Sequence, residues 1–352
     1  MFEIYKGKRI FLTGNTGFKG SWMSFWLQSL GAEVVGYSLP PNTDPNHFSL
    51  LNLSYKTYFE DVRDLESLTK AINQSKPDIV FHLAAQPLVR YSYLNPIETY
   101  STNVMGTVNV MEASRHCESV RAIVIVTTDK CYENIEQEKG YVESDRMGGH
   151  DPYSSSKGCA ELAVSSYRNA YFNINDYLQK HQILLASARA GNVIGGGDWS
   201  IDRLIPDIIK SAIKSEKTSI RYPKATRPWQ HVLEPISGYL MLGERLLNGE
   251  KDFAEGWNFG PEERDILTVG EVLEIAKNIW DRIDYEVDTE NEHFHEAGLL
   301  SLNINKAKSK LGWQPKWKNE ISIKNTIEWY KEFYHSNQII TEEQLNQFVK
   351  CI

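Results

Sequence analysis

The sequence predicts an α/β protein built on a doubly wound parallel sheet, with a smaller, mostly helical C-terminal lobe. Three observations carry this expectation. Short β-rich apolar runs alternate with helical patterns through the first 190 residues, as βαβ units require. A glycine-rich turn, Gly14 to Gly20, joins the first apolar run to the first helical pattern, the Rossmann-type arrangement. At 352 residues the chain is long enough for two domains, or one large unit with an elaboration, at roughly 150 residues per domain.

The expected strands run from Arg9 to Thr13, Val34 to Tyr37, Thr57 to Glu60, Ile79 to Ala84, Ala122 to Thr128 and Ile183 to Ala188. The first helix is marked by Met23, Trp26, Leu27 and Leu30 at i, i+3, i+4, i+7, with Gly31 placed to stop it. Past Ala190 the rhythm loosens into the turn Gly195-Gly196-Gly197, an amphipathic stretch from Ile205 to Ile213 and a Trp-rich tail. These features divide the chain into a sheet domain over 1–190 and a helical lobe over 191–352. The stretch from Val232 to Leu247 is expected to rejoin the sheet at about 230–250.

A composition of 41% hydrophobic, 24% charged and 11% aromatic residues describes a compact fold and excludes disorder. The net charge of −8 and the lack of a dense Lys/Arg block leave no electrostatic footprint for nucleic acid. The longest apolar run, Ala122 to Val126, falls far short of the roughly 18 residues a membrane span needs, and no signal-type apolar core opens the chain. A cytoplasmic location is therefore expected. The four cysteines, Cys117, Cys131, Cys159 and Cys351, show neither paired nor metal-ligand spacing and read as reduced thiols; no metal site is expected.

Thr13 to Gly20 forms a G-x-x-G-x-x-G pattern between strand and helix. Glycines there permit a tight turn and let a pyrophosphate approach free N–H groups at the positive end of the helix dipole. The second strand ends in Gly36-Tyr37-Ser38 without the acidic residue that selects an unphosphorylated ribose, so this rule leaves NAD and NADP both open. Asp61, after the third strand, suits an adenine contact or a helix cap equally.

Tyr153 and Lys157 form a Y-x-x-x-K pair, whose four-residue spacing puts both side chains on one helix face. A cationic amine beside a phenol, whose reference pKa is about 10, favours the phenolate and makes Tyr153 a candidate general base. Thr128, Asp129 and Lys130 follow the fifth strand, at a carboxyl end where open α/β sheets bind ligands. His82 reads as a core histidine with one satisfied nitrogen, and Trp313 and Trp317 read as packing residues.

With these motifs in this order, the chain resembles the extended short-chain dehydrogenase/reductase superfamily, and within it the nucleotide-sugar 4,6-dehydratases of the CDP-glucose type. The likeness runs almost end to end. It includes Gly14 to Trp22, His82 to Arg90, Thr102 to Thr107, Thr127 to Asn134, Gly148 to Tyr153, Ala188 to Trp199, Arg227 to Val232 and the Leu311-Gly312-Trp313-Gln314-Pro315 turn. The resemblance implies tightly held NAD, contacted by Gly14, Thr16, Gly17, Phe18, Gly20, Asp61, Val62, Leu83, Ala84, Ala85, Asn103, Tyr153 and Lys157. It implies a nucleotide-sugar substrate, CDP-D-glucose, contacted by Gln86, Arg90, Asn192, Arg203, Arg227 and His231. A homodimer is expected on the same ground.

The implied chemistry is a redox-neutral dehydration. Tyr153, helped by Lys157 and Thr128, accepts the sugar 4-hydroxyl proton; Asp129 protonates the leaving 6-hydroxyl. The dTDP-glucose relatives carry Asp-Glu where this chain has Asp129-Lys130, so Lys130 becomes the candidate base at carbon 5, or an electrostatic partner of the enolate. Lys130 also fits the enzymes that dehydrate UDP-N-acetylglucosamine, while Cys131 to Asn134 and Arg227 to Gln230 favour the CDP type. A net epimerase or reductase is the enzymatic alternative. A regulatory protein that binds cofactor without turnover is the non-enzymatic one, against which the intact Tyr153, Lys157, Asp129 and Lys130 speak.

Overall fold

The computed structural model describes residues 2–137, 139–288 and 300–352. Seven parallel strands form its central sheet: β1 (Arg9–Thr13), β2 (Glu33–Tyr37), β3 (Lys56–Tyr58), β4 (Ile79–His82), β5 (Ala122–Val126), β6 (Leu184–Ala190) and β7 (Gly256–Phe259). Their order is β7-β6-β5-β4-β1-β2-β3, so the chain reverses its direction of travel between β1 and β4. Ligands of doubly wound sheets bind at the carboxyl ends beside such a switch point.

Alternation along the strands feeds two cores. Ile10, Leu12, Ile79, Phe81, Val124 and Val126 face one layer, with α1 (Phe18–Ser29); Phe11, Val80, Ile123 and Ile125 face the other, with α2 (Leu65–Ser75), α3 (Gly106–Arg115) and α4 (Pro152–Ala170). The first helix follows its sequence pattern: Met23, Trp26 and Leu27 are buried, and Gly31 at φ +76° donates its N–H back to Gln28. Such a positive φ suits a glycine that ends a helix.

The return to the sheet is larger than the sequence pattern indicates. Beyond α5 (Leu204–Lys214), α6 (Leu233–Leu247) packs on β5 and β6, and β7 then pairs in parallel with β6 from Gly256 opposite Ser187 to Phe259 opposite Ala190. Residues 233–259 thus pack on and extend the sheet, and β7 carries the return past the expected 230–250. The lobe is helical, with α7 (Val269–Ile279), α8 (Asn319–Ser336) and α9 (Thr341–Val349), and includes three two-stranded pieces. Tryptophans join the layers. Trp22, Trp26, Trp257, Trp280, Trp313 and Trp329 are fully buried, and truncating any one to Ala costs about 3–5 kcal/mol. Trp313 donates to Ser237 and Trp317 packs on Phe348, the structural roles expected of them.

Candidate active site

The glycine turn is a tight cradle. Gly14 has φ +74°, and a Cβ there would stand 2.6 Å from the Ala84 nitrogen; a Cβ on Gly20 would stand 2.0 Å from the Gly14 oxygen. Gly17 caps α1 with no side-chain hydrogen bond, which leaves the helix N-terminus to an anion. Thr16 is buried against Ser38 and the Leu39 carbonyl, and Leu83 and Ala84 each donate an N–H to the Thr13 hydroxyl, which holds the ends of β1 and β4 together. These residues fit a dinucleotide pyrophosphate. Gly20→Ala is expected to lower cofactor affinity tenfold or more and stability by about 1–3 kcal/mol, read by cofactor titration and denaturant unfolding.

Tyr153 sits in the first turn of α4. Asp151 caps that turn by accepting from the Ser154 N–H, Pro152 opens it, and the Tyr153 N–H donates to the Ser92 hydroxyl. Burial pushes the phenol up to about 12; a hydrogen bond with Thr128 and the charge of Arg203 oppose that rise. The expected pull of the Lys157 amine toward the phenolate is thus outweighed: burial, with the charges of Asp129 and Asp151, raises the phenol more than Thr128 and Arg203 lower it. Lys157 is itself buried, and burial lowers its amine to about 8.

At the end of β5, Asp129 opens a short helical turn, Asp129–Cys131. Its Oδ1 accepts from the Thr128 hydroxyl at 2.8 Å, while Oδ2 is buried with no hydrogen-bond partner among the described residues. That oxygen faces Gly191, where a Cβ would stand 3.1 Å away. Burial raises the Asp129 carboxyl above its ordinary value, against the lowering charges of Lys130 and Arg227, and so favours the protonated form a general acid needs. Lys130 lies beside it, partly exposed.

Two cationic side chains on the substrate side are held by carboxylates. Arg203 reaches Asp198 at 3.1 Å and Arg90 reaches Asp202 at 3.0 Å. Arg227 donates to the Thr226 carbonyl. The charge of Arg203 acts on Tyr153 and that of Arg227 on Asp129, in each case lowering the group's pKa against burial.

The pattern of the GDP-mannose 4,6 dehydratase family matches residues 11–326. The chain belongs to that family. A CDP-glucose 4,6-dehydratase of Salmonella typhimurium is 48% identical over 341 residues, covering 96% of this chain and 94% of that protein. A dTDP-D-glucose 4,6-dehydratase of Homo sapiens is 29% identical, over 94% of this chain and 91% of that protein. Among solved structures, the UDP-glucose 4-epimerase of Thermotoga maritima with UDP-glucose aligns with a TM-score of 0.77 at 23% identity, covering 93% of this chain and 99% of its own. A dTDP-glucose 4,6-dehydratase double mutant of Streptomyces venezuelae, solved with NAD, aligns with a TM-score of 0.74 at 21% identity, covering 92% and 97%. These two share the fold.

Within this member of the GDP-mannose 4,6 dehydratase family, some predicted site residues take other places. His231 is fully buried edge-on to Trp22 and Trp317, and burial lowers its imidazole to about 3. Its Nδ1 accepts from the Leu233 N–H, and its Nε2 is buried with no hydrogen-bond partner among the described residues. His82, buried too, uses both ring nitrogens, on Thr13 and Thr107, rather than one. Asn103 spends its amide on bracing: Oδ1 accepts from the Gln86 N–H, and Nδ2 donates to the Gln86 carbonyl and the Ser156 hydroxyl. Gln86 in turn bonds Leu88 and Thr99. Asp61 grips Arg63, and the helix cap is Asp64 instead. Val62 is buried, Phe18 packs partly buried on the main core, and the Asn192 carbonyl accepts from Gln230. Sequence reasoning passed over Lys19, whose amine reaches the Tyr239 hydroxyl at 3.4 Å; burial, then Arg203 and Lys157, lower it to about 7. Its signal was a cation in the first turn of α1, between the glycines of the motif.

Proposed function

We propose that this chain is an NAD-dependent CDP-glucose 4,6-dehydratase, converting CDP-D-glucose to CDP-4-keto-6-deoxy-D-glucose and water. The observation that carries this reading is the convergence of Tyr153, Thr128 and buried Asp129 beside the glycine cradle, in a chain 48% identical to a protein of that activity. Gly14, Gly17 and Gly20 would hold the pyrophosphate of NAD, which would supply a hydride acceptor for carbon 4 and a hydride donor for carbon 6. Tyr153 accepts the 4-hydroxyl proton, with Lys157 and Thr128 assisting. The resulting ketone acidifies the carbon 5 proton, which Lys130 removes, while Asp129 gives a proton to the departing 6-hydroxyl; once carbon 6 has received the hydride, Lys130 returns a proton to carbon 5. Asn192, Arg203 and Arg227 hold the diphosphate, for which paired guanidinium N–H donors are suited.

We place the enzyme in the cytoplasm as a homodimer. No helix among the described residues is long and apolar enough to cross a membrane. Leu94, Ile97, Met105 and Leu162, all more than half exposed on neighbouring helices, supply an apolar face for a second copy. Incubation with CDP-glucose, UDP-N-acetylglucosamine and dTDP-glucose, followed by mass measurement, should show loss of one water from CDP-glucose. An unchanged mass, or preference for another nucleotide, contradicts the assignment.

A further inference from the structure

Behind Lys157 lies a buried charge pair that the reaction scheme does not use. Glu161 follows Lys157 by one helical turn on α4 and shares its face. Its carboxylate receives the Thr127 hydroxyl, the Ser187 hydroxyl at 2.8 Å and Arg189 Nη2 at 2.8 Å. Both partners of the ion pair are almost completely buried, at 5% and 2% side-chain exposure. Arg189 continues to the Tyr132 hydroxyl at 2.6 Å and the Glu143 carbonyl at 3.1 Å, and Tyr132 continues to Asn258. One carboxylate thereby ties α4 to the ends of β5 and β6, and its first contact, Thr127, directly precedes Thr128.

We propose that Glu161 is a positioning residue of this site: its buried carboxylate supplies the counter-charge that holds Lys157 as an ammonium and fixes the end of β5 against α4. The reading rests on Lys157 and Tyr153 as the reaction centre proposed above. Charged and titratable groups reach Lys157 from every side. Burial keeps His82, on β4, and Cys131, after β5, neutral and lowers the Lys19 amine, on α1, to about 7, so none of the three offers Lys157 a negative charge; Tyr153 shares the helix. The negative charge comes from Glu161. Burial acts to raise its carboxyl, but Arg189 and the hydrogen bonds from Arg189, Thr127 and Ser187 more than reverse this and keep it ionised. Burial lowers the Lys157 amine, and Glu161 is the largest influence raising it again. Lys157 and Glu161 stand one turn apart on the same face of α4, which brings the carboxylate's charge to bear on the amine.

The test follows Lys157 directly. In protein labelled with 13Cε-lysine, with its signal assigned by loss in Lys157→Met, the amine should titrate at about 8. Glu161→Gln keeps the shape but leaves Arg189 buried and unpaired, so Glu161→Gln/Arg189→Met, which removes both charges, is measured beside it. The folded variant is expected to titrate about one pH unit lower, with the alkaline limb of kcat/KM for CDP-glucose moving by the same amount. Ser187→Ala, which removes a hydrogen bond but no charge, should leave the midpoint in place. An unmoved midpoint in the folded double variant overturns the proposal. Failure of both neutral variants to fold assigns the pair to the fold alone and overturns it too. A wild type inert toward CDP-glucose contradicts the proposed function while the lysine titration still decides this inference.

Discussion

Tyr153→Phe loses on the order of a hundredfold or more in the first oxidation, the scale of a general base, while cofactor and substrate affinity stay near wild type. The ring keeps its packing, since the Tyr153 backbone is fixed by the Asp151 cap and Ser92 and the side chain is nearly buried. What disappears is the oxygen that meets Thr128. A phenol raised to about 12 is a poor base at neutral pH until nearby positive charge lowers it, so its removal acts on kcat rather than on binding. Single-turnover absorbance of reduced nicotinamide checks this. A variant within tenfold of wild type moves the base elsewhere.

Lys130→Met is expected to lose carbon 5 exchange about a hundredfold while still oxidising carbon 4. Elimination needs an acid at the carbon 6 oxygen and a base at carbon 5. The two neighbours differ in environment: Asp129 is buried with a raised carboxyl and an Oδ2 that has no hydrogen-bond partner among the described residues, whereas Lys130 is partly exposed. Given the 4-keto-6-deoxy product in deuterated water, wild type should take deuterium at carbon 5 and Lys130→Met should not. The variant should still reduce its NAD when offered CDP-glucose. Normal exchange in Lys130→Met leaves Lys130 as an electrostatic partner of the enolate.

Features governed by local pattern were legible in the sequence. The α1 face, the glycine cradle and the Y-x-x-x-K turn each depend on residues within one element, and each forms where its spacing indicates. Features set by distant packing were not. β7 is the four-residue run Gly-Trp-Asn-Phe with no β-branched residue, and it becomes a strand because the edge of β6 and the helix α6 receive it. His231, expected from the resemblance to contact substrate, packs edge-on against Trp22 and Trp317, which lie 209 and 86 residues away in the chain. Glu161 and Arg189, 28 residues apart, look like two surface charges until α4 and β6 bring them together. The height of the Tyr153 phenol follows from burial, which no spacing encodes.

The proposed reaction turns on one hydride leaving carbon 4 and returning to carbon 6 in the same turnover. CDP-glucose deuterated at carbon 4 should therefore give product that carries deuterium at carbon 6, with loss of one water and no lasting absorbance of reduced nicotinamide. Stoichiometric accumulation of the reduced cofactor, or a product that keeps its carbon 6 oxygen, contradicts it.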